Sequence, residues 1–172
     1  MEEVAQALAA IETESGTSLL ALTEASPVLL VFLRHFGCSF CRQAISQVAS
    51  LRGELEARGV RPVFVHLGTP EIAKANFEYY KIGDVERIND PGAAVYHHPV
   101  FALRRTSWVG QAFKPAVWKG WFGGALKDHG IGKIEADANQ MPGTFFLKGP
   151  KIVRSFVNKT IADQPDYLAL VR

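Results

Sequence analysis

The sequence predicts an α/β fold whose central sheet contains parallel strands. Residues 28–33 are a continuous apolar run, and residues 62–67 are apolar except for His66; both runs are typical of strands that are covered on both faces. Between these runs, residues 41–58 carry apolar side chains at helical spacing, and Gly59 follows as a helix stop signal. A strand, a helix and a second strand in this order form a βαβ unit, for which a parallel sheet is the default arrangement.

Further elements extend this unit at both ends. Residues 3–12 predict a short amphipathic helix, and residues 15–27 predict turns around a short apolar piece. After the second strand, Thr69 can cap a helix and Pro70 can occupy its first position, so we predict a helix to about Tyr80.

The second half of the chain adds four predicted elements. They are a short strand over 84–90, a short helix over 93–100, a β-hairpin over 144–157 and a closing helix over 163–171. Residues 103–139 contain all three tryptophans and several glycines, and they predict one helix over about 114–126. We interpret the tryptophans mainly as packing residues, with a hydrophobic substrate cleft as the alternative.

Composition and charge indicate the class of protein. The chain has 172 residues, of which 48% are hydrophobic and 21% charged, which is typical of a globular protein with its own core. Its net charge of +2 gives no reason to expect nucleic acid or a membrane as a partner. The acidic start has no export signal, and no apolar run approaches the roughly 20 residues that span a bilayer, so we expect a cytoplasmic protein.

Cys38 and Cys41, the two cysteines of the chain, are the strongest functional signal. They lie between the end of a predicted strand and the start of a predicted helix, at the sheet edge where binding crevices form. A thiol at a helix N-terminus faces free N–H groups, which lower its pKa from about 8.5 toward neutrality. Cys41, one turn later, should stay protonated, while Arg34, His35 and Arg42 add positive potential.

Two other interpretations of the cysteine pair stay open at this point. A zinc site needs two further ligands, and no histidine of the chain has the spacing of a zinc finger. Two inert buried cysteines are the second alternative. A redox dithiol explains the spacing and the position best.

Four stretches resemble one known family in the same order along the chain. They are VFLRHFGCSFCR, RGVRPVFVHLGTPE, QMPGTFFLKGPKIVRSF and ADQPDYLAL. Together they resemble the CxxC-containing branch of the peroxiredoxin-like AhpC/TSA (alkyl hydroperoxide reductase / thiol-specific antioxidant) family of the thioredoxin-fold superfamily. The resemblance implies a thioredoxin fold, a central mixed sheet flanked by helices, in a single domain over 1–172. Residues 1–26 would be an N-terminal extension, and about 103–139 an insertion before the hairpin.

The resemblance also implies the roles of the site residues. Cys38 would be the nucleophile and Cys41 the resolving thiol of an antioxidant oxidoreductase that needs no cofactor and no metal. The peptide bond between Met141 and Pro142 would be cis, and the backbone there would contact the substrate. His35 and Arg42 would stabilise the thiolate. A thioredoxin- or glutathione-type donor would reduce the disulfide, and the oxidant would be a peroxide or a disulfide.

This sequence departs from the family pattern at several positions. Peroxidatic members carry a proline seven residues and a Thr or Ser three residues before the nucleophilic cysteine, where this chain has Val31 and His35. Thioredoxins carry Trp directly before the first cysteine, where this chain has Gly37. Arg154 on the predicted hairpin is a further candidate to reach the thiolate, although an exposed position is more typical of an edge arginine.

The sequence therefore predicts thiol–disulfide redox chemistry, with the oxidant left open. A non-enzymatic binding module or redox switch is the alternative from a different class, since a fold does not by itself imply turnover. An iron–sulfur cluster shared across a dimer is a weaker third option. The sequence specifies no interface, so the oligomeric state stays open, with a homodimer as one arrangement.

Overall fold

The computed structural model describes residues 2–172. The strands form one five-stranded sheet in the order β3-β2-β1-β4-β5. The strands are β1 (Val28–Phe32), β2 (Arg61–His66), β3 (Glu86–Asn89), β4 (Gly143–Leu147) and β5 (Ile152–Val157). β1, β2 and β3 run parallel, whereas β4 is antiparallel to β1 and β5 is antiparallel to β4. The predicted parallel βαβ unit and the predicted hairpin are both confirmed.

Helices cover both faces of this sheet. In chain order they are α1 (Glu2–Ala10), α2 (Leu19–Ala25), α3 (Ser39–Ser50), α4 (Arg52–Ala57), α5 (Pro70–Tyr79), α6 (Ala94–His97), α7 (Trp108–Ala112), α8 (Pro115–Gly120), α9 (Leu126–His129) and α10 (Tyr167–Leu170). A π-helical turn, Trp121–Ala125, joins α8 to α9. Within residues 2–172, every helix is too short or too polar to cross a lipid bilayer.

The alternation of side chains along β1 explains why both faces of the sheet are covered. Leu29 and Val31 point into a cluster formed with α3 and α5, whereas Leu30 and Phe32 point into a second cluster on the opposite face. All four side chains are at most 2% exposed. Successive residues of a strand face opposite sides, so a continuous apolar run matches a strand buried on both faces.

Three segments differ from the sequence prediction. Residues 15–27 were predicted as turns around an apolar piece but contain α2, whose first turn is capped by Ser18 accepting the N–H of Ala21. The single helix predicted over 41–58 is two helices, because Leu51 leaves the helical conformation with φ −94° and ψ 1°. Residues 103–139 contain three short helices and a π-helical turn, where the sequence predicts one helix.

Candidate active site

Cys38 is the N-cap residue of α3, directly after the loop that follows β1. Its carbonyl oxygen accepts the N–H groups of Cys41 and Arg42, each at 3.1 Å, and this starts the helix. The Cys38 side chain makes no capping hydrogen bond, although the N–H groups of Phe40 and Cys41 in the first turn lower the pKa of its thiol. Both cysteines are free thiols and buried, with Cys38 8% and Cys41 4% exposed.

The surroundings of Cys38 favour its thiolate. A hydrogen bond from the Cys41 thiol lowers the pKa of Cys38, burial opposes this, and the positive charge of Arg34 lowers the pKa further. Arg34 Nη1 lies 3.4 Å from Cys38 Sγ, and backbone N–H groups of the helix also contribute. The net result is a pKa of about 6, well below the ordinary value of a cysteine.

The surroundings of Cys41 have the opposite effect. Burial raises the pKa of the Cys41 thiol, and the hydrogen bond to the neighbouring Cys38 sulfur raises it further. The backbone N–H of Arg34 donates to Cys41 Sγ at 3.2 Å, which fixes the position of the sulfur. The pair therefore consists of one ionised and one protonated thiol near neutral pH.

The basic side chain in contact with Cys38 is Arg34, rather than the two residues predicted to stabilise the thiolate. Burial, together with the charges of Arg34 and Arg42, lowers the pKa of His35 to about 4, so its imidazole is neutral at pH 7. Arg42 donates to the carbonyl oxygens of Phe36 and His129. Arg34 itself is 3% exposed, and its second terminal nitrogen bonds the carbonyl oxygen of Ala138.

A segment without helix or strand, which we call the strap (residues 130–139), lies against the loop before Cys38. The N–H of Gly132 bonds the carbonyl oxygen of Gly37 at 2.9 Å, and the Glu135 carboxylate accepts the N–H of Phe36. A Cβ at Gly37 would collide with the carbonyl oxygen of Lys133. This close approach explains why glycine precedes the first cysteine.

An apolar pocket of about 150 Å³ opens beside Cys38. Its hydrophobic walls are Phe40, Trp108, Trp121, Ile131, Ile134 and Ile161. Trp121 stacks on Phe40 with ring centres 6.1 Å apart, and its Nε1 donates to Ser39 Oγ. Trp108 and Trp121 thus line a cleft beside the thiol, which matches the alternative interpretation of the tryptophans.

The expected cis bond before Pro142 is corrected by the structure. No cis peptide bond occurs in residues 2–172, so Met141–Pro142 is trans, the isomer that X–Pro bonds favour by about 0.5–1 kcal/mol. Met141 is fully buried, and its N–H bonds the carbonyl oxygen of Arg104, so this N–H is engaged within the protein. Pro142 lines a small cavity together with Cys41.

Two further candidates from the sequence lie outside this arrangement. Arg154 is exposed and donates to the carbonyl oxygens of Ala169, Leu170 and Arg172, so it supports the C-terminus of the chain rather than the thiolate. For the zinc interpretation, the described part of the chain contains no group of three or more His, Cys, Asp or Glu side chains arranged to hold a metal ion.

Comparisons with known proteins give the fold. No family model matches the chain. Two solved structures from Mycobacterium tuberculosis are similar to it. Peroxidoxin BcpB has a TM-score of 0.64 and 15% identity, with 94% of this chain and 89% of that chain covered. A secreted disulfide oxidoreductase homologous to E. coli DsbE has a TM-score of 0.58 and 15% identity, with 96% of each chain covered.

The chain has the thioredoxin fold. The predicted fold class, a central mixed sheet flanked by helices, is therefore confirmed. Among curated proteins, the prostamide/prostaglandin F synthase of Salmo salar is 34% identical over 70 residues, which is 40% of this chain. That match spans about a third of the relative's length, 34%. Thioredoxin-fold proteins named for peroxide and disulfide chemistry are thus among its structural neighbours.

Proposed function

We propose that this protein is a peroxiredoxin-like thiol–disulfide oxidoreductase that works through a Cys38–Cys41 dithiol–disulfide cycle. The observation that carries this proposal is the pair of opposite pKa shifts on two adjacent sulfurs. Cys38 has a pKa of about 6, whereas burial raises the pKa of Cys41 well above its ordinary value. A nucleophilic thiolate next to a protonated thiol is the arrangement that such a cycle requires.

The first half of the cycle oxidises both cysteines. With a peroxide, the Cys38 thiolate attacks one oxygen, the O–O bond breaks, and an alcohol or water leaves after taking up a proton. Cys41 then attacks the resulting sulfenic acid, the S–O bond breaks, and water leaves as the Cys38–Cys41 disulfide forms. With a disulfide substrate, Cys38 forms a mixed disulfide, and Cys41 displaces the substrate thiol.

The second half of the cycle restores the two thiols. A dithiol donor of the thioredoxin type, or two molecules of a glutathione-type thiol, supplies two electrons and two protons and becomes the oxidised disulfide. Such donors operate in a reducing compartment, so we place the protein in the cytoplasm. No cofactor takes part in any of these steps.

Thiol counting and rapid kinetics test this proposal. We expect reduced protein mixed with hydrogen peroxide, an organic hydroperoxide or a small disulfide to lose both thiols. At pH 7, a pKa near 6 gives about thirtyfold more thiolate than a cysteine of ordinary pKa, so at least one oxidant should react faster than with free cysteine.

Single-cysteine variants give the matched controls. Cys41→Ser should lose one thiol and accumulate a sulfenic acid or a mixed disulfide, which mass spectrometry detects. Cys38→Ser should react no faster than free cysteine. If Cys38→Ser reacts as fast as the unmodified protein with every oxidant, the assignment of the nucleophile is wrong.

The same experiment separates the two classes of oxidant. The positions that carry Pro and Thr or Ser in peroxidatic relatives hold Val31 and His35, so no hydroxyl of the family type is present at that position to orient a peroxide. Fast reaction with disulfides and slow reaction with both peroxides would identify an oxidoreductase without peroxidase activity. Slow reaction with all three oxidants would favour the alternative function, a binding module or redox switch.

A further inference from the structure

Part of the insertion forms an exposed aromatic surface next to the candidate active site. Phe122 is 80% exposed and stacks on Trp118, which is 48% exposed, with ring centres 5.8 Å apart. Trp121 contacts Trp118 edge to face at 5.4 Å. Trp108, 44% exposed, and Ile131, 64% exposed, continue the surface at the mouth of the pocket beside Cys38. We call these five residues the aromatic surface. Contiguous exposed apolar patches mark interaction sites.

The charge of the surrounding segment differs from that of the rest of the protein. Of the 19 basic and 17 acidic side chains in the chain, residues 104–133 hold six basic ones and one acidic one. The local net charge is therefore +5, and the rest of the chain has a net charge of −3. The whole-chain charge of +2, from which we expected no membrane partner, hides this separation.

Exposed lysines accompany the aromatic side chains. Lys119 follows Trp118 in α8, Lys127 follows the π-helical turn, and Lys133 lies beside Ile131 in the strap; all three are exposed. Asp128 is the acidic residue within the segment.

The two nearest acidic side chains after the segment are already engaged. Glu135 accepts the N–H of Phe36, and Asp137 pairs with Arg105 at 2.7 Å. Both carboxylates keep their negative charge, and Asp137 pairs with a basic residue of the segment, so residues 104–139 together hold six basic and three acidic side chains and have a net charge of +3.

We propose that the aromatic surface docks this protein onto the surface of an anionic phospholipid membrane. Trp and Phe side chains favour the boundary between headgroups and acyl chains, and lysines bind anionic headgroups. Phe122 protrudes from a turn that continues into Gly123, which has no neighbouring atom within 4 Å of an added Cβ. A protruding aromatic side chain can insert between lipids, whereas a groove would instead bind a ligand within it.

The positive charge of the segment favours a membrane over a second copy of the chain as the partner that binds the aromatic surface. Two copies that met through this surface would bring two basic segments together, which is unfavourable. An anionic bilayer attracts this segment and repels the remaining residues, so it also orients the protein. Trp108, Trp121 and Ile131 belong both to the aromatic surface and to the pocket, so docking places the mouth of the pocket at the lipid surface. The docking itself does not depend on the proposed redox function.

Vesicle binding tests the proposal, and tryptophan fluorescence reports it directly because all three tryptophans lie on this surface. The reduced protein would be titrated with vesicles of phosphatidylcholine alone and of phosphatidylcholine with phosphatidylglycerol, and flotation would measure the bound fraction. We expect a blue-shifted emission and quenching by brominated acyl chains with the anionic vesicles, and weaker binding at high salt. Equal binding to both kinds of vesicle, or no binding to either, would overturn the proposal.

Variants distinguish membrane binding through the aromatic surface from nonspecific binding. Phe122→Ser should weaken binding at least about tenfold through lost apolar burial. The double variant Lys119→Glu, Lys127→Glu should have a similar effect through charge, since each basic residue near an anionic surface contributes about a fivefold change. Val153→Ser and Lys151→Glu, exposed positions on and beside β5, should bind normally. Cys38→Ser should also bind normally.

Two outcomes of these variants would contradict the assignment. Equal losses in the insertion variants and the β5 controls would show that binding does not use this surface. A dimer in sedimentation that dissociates in Phe122→Ser, without vesicle binding, would show that the surface is instead an interface between copies.

Discussion

Arg34 contacts Cys38, with its Nη1 atom 3.4 Å from Cys38 Sγ, while its other terminal nitrogen bonds the carbonyl oxygen of Ala138 in the strap. The buried Arg34 guanidinium therefore contacts both Cys38, the candidate nucleophile, and the strap. Because an arginine stays protonated at all physiological pH values, this contact adds a permanent positive charge beside the sulfur.

Replacing Arg34 should reduce the reactivity of Cys38. In Arg34→Met the pKa of Cys38 should rise from about 6 toward about 7 or higher, because an opposite charge within hydrogen-bond distance typically lowers a pKa by at least about one. The rate of alkylation by iodoacetamide at pH 6 should fall accordingly. Arg42→Met is the matched control, since the Arg42 guanidinium donates to backbone carbonyl oxygens. An equal fall in both variants would show that the contact to Cys38 is not the cause.

Adding a methyl group at Gly37 should destabilise the contact between loop and strap. A Cβ there would collide with Lys133, so we expect Gly37→Ala to lower the free energy of unfolding by about 1–3 kcal/mol in urea denaturation. Gly53→Ala is the control: Gly53 is exposed within α4, nothing lies near its added Cβ, and alanine favours a helix by about 0.5–1 kcal/mol. Unchanged stability in Gly37→Ala would contradict the described packing.

His35 should make the protein less stable in mild acid. Burial is the main cause that lowers its pKa to about 4 in the folded protein, against about 6.5 when unfolded. Between these values the unfolded chain binds the additional proton, so stability falls as the pH falls from about 6.5 toward 4. The loss attributable to His35 should be about 2 kcal/mol at pH 5.

Comparison with His35→Leu isolates this contribution, because the pKa values of His66 and His129 are also lowered by burial and act in the same direction. Urea denaturation at pH 7 and pH 5 should show a larger loss of stability for the unmodified protein than for the variant. The same loss in both proteins would mean that His35 is not the titrating group.

Local patterns in the sequence predicted most of the elements and the cysteine pair. β1 is a continuous apolar run and β2 has an apolar centre over 62–65, and CxxC at the start of a helix is a local motif, so none of these needs knowledge of distant contacts. α2 was missed because its seven residues give too short a periodic signal. The break between α3 and α4 at Leu51 was missed because the apolar spacing continues across it.

The contacts made by the strap could not be predicted in the same way. The strap has no periodic pattern, and its partners Gly37 and Phe36 lie about 100 positions earlier in the chain, so only the folded structure brings them together. The sequence placed Arg34, His35 and Arg42 near the thiol but could not show which of them contacts it. The folded structure shows this, since burial lowers the pKa of His35 and the Arg34 Nη1 atom lies 3.4 Å from Cys38 Sγ.

The pH dependence of Cys38 alkylation tests the central claim most directly. Iodoacetamide reacts with the thiolate, so the rate in the reduced protein should follow ionisation of Cys38, with Cys41→Ser confirming which sulfur reacts. We predict a midpoint near pH 6, a roughly tenfold rise between pH 5 and pH 7, and a nearly constant rate from about pH 7 to 9. A rate that keeps rising to a midpoint near about pH 8.5 would show an ordinary thiol and contradict the proposed nucleophile.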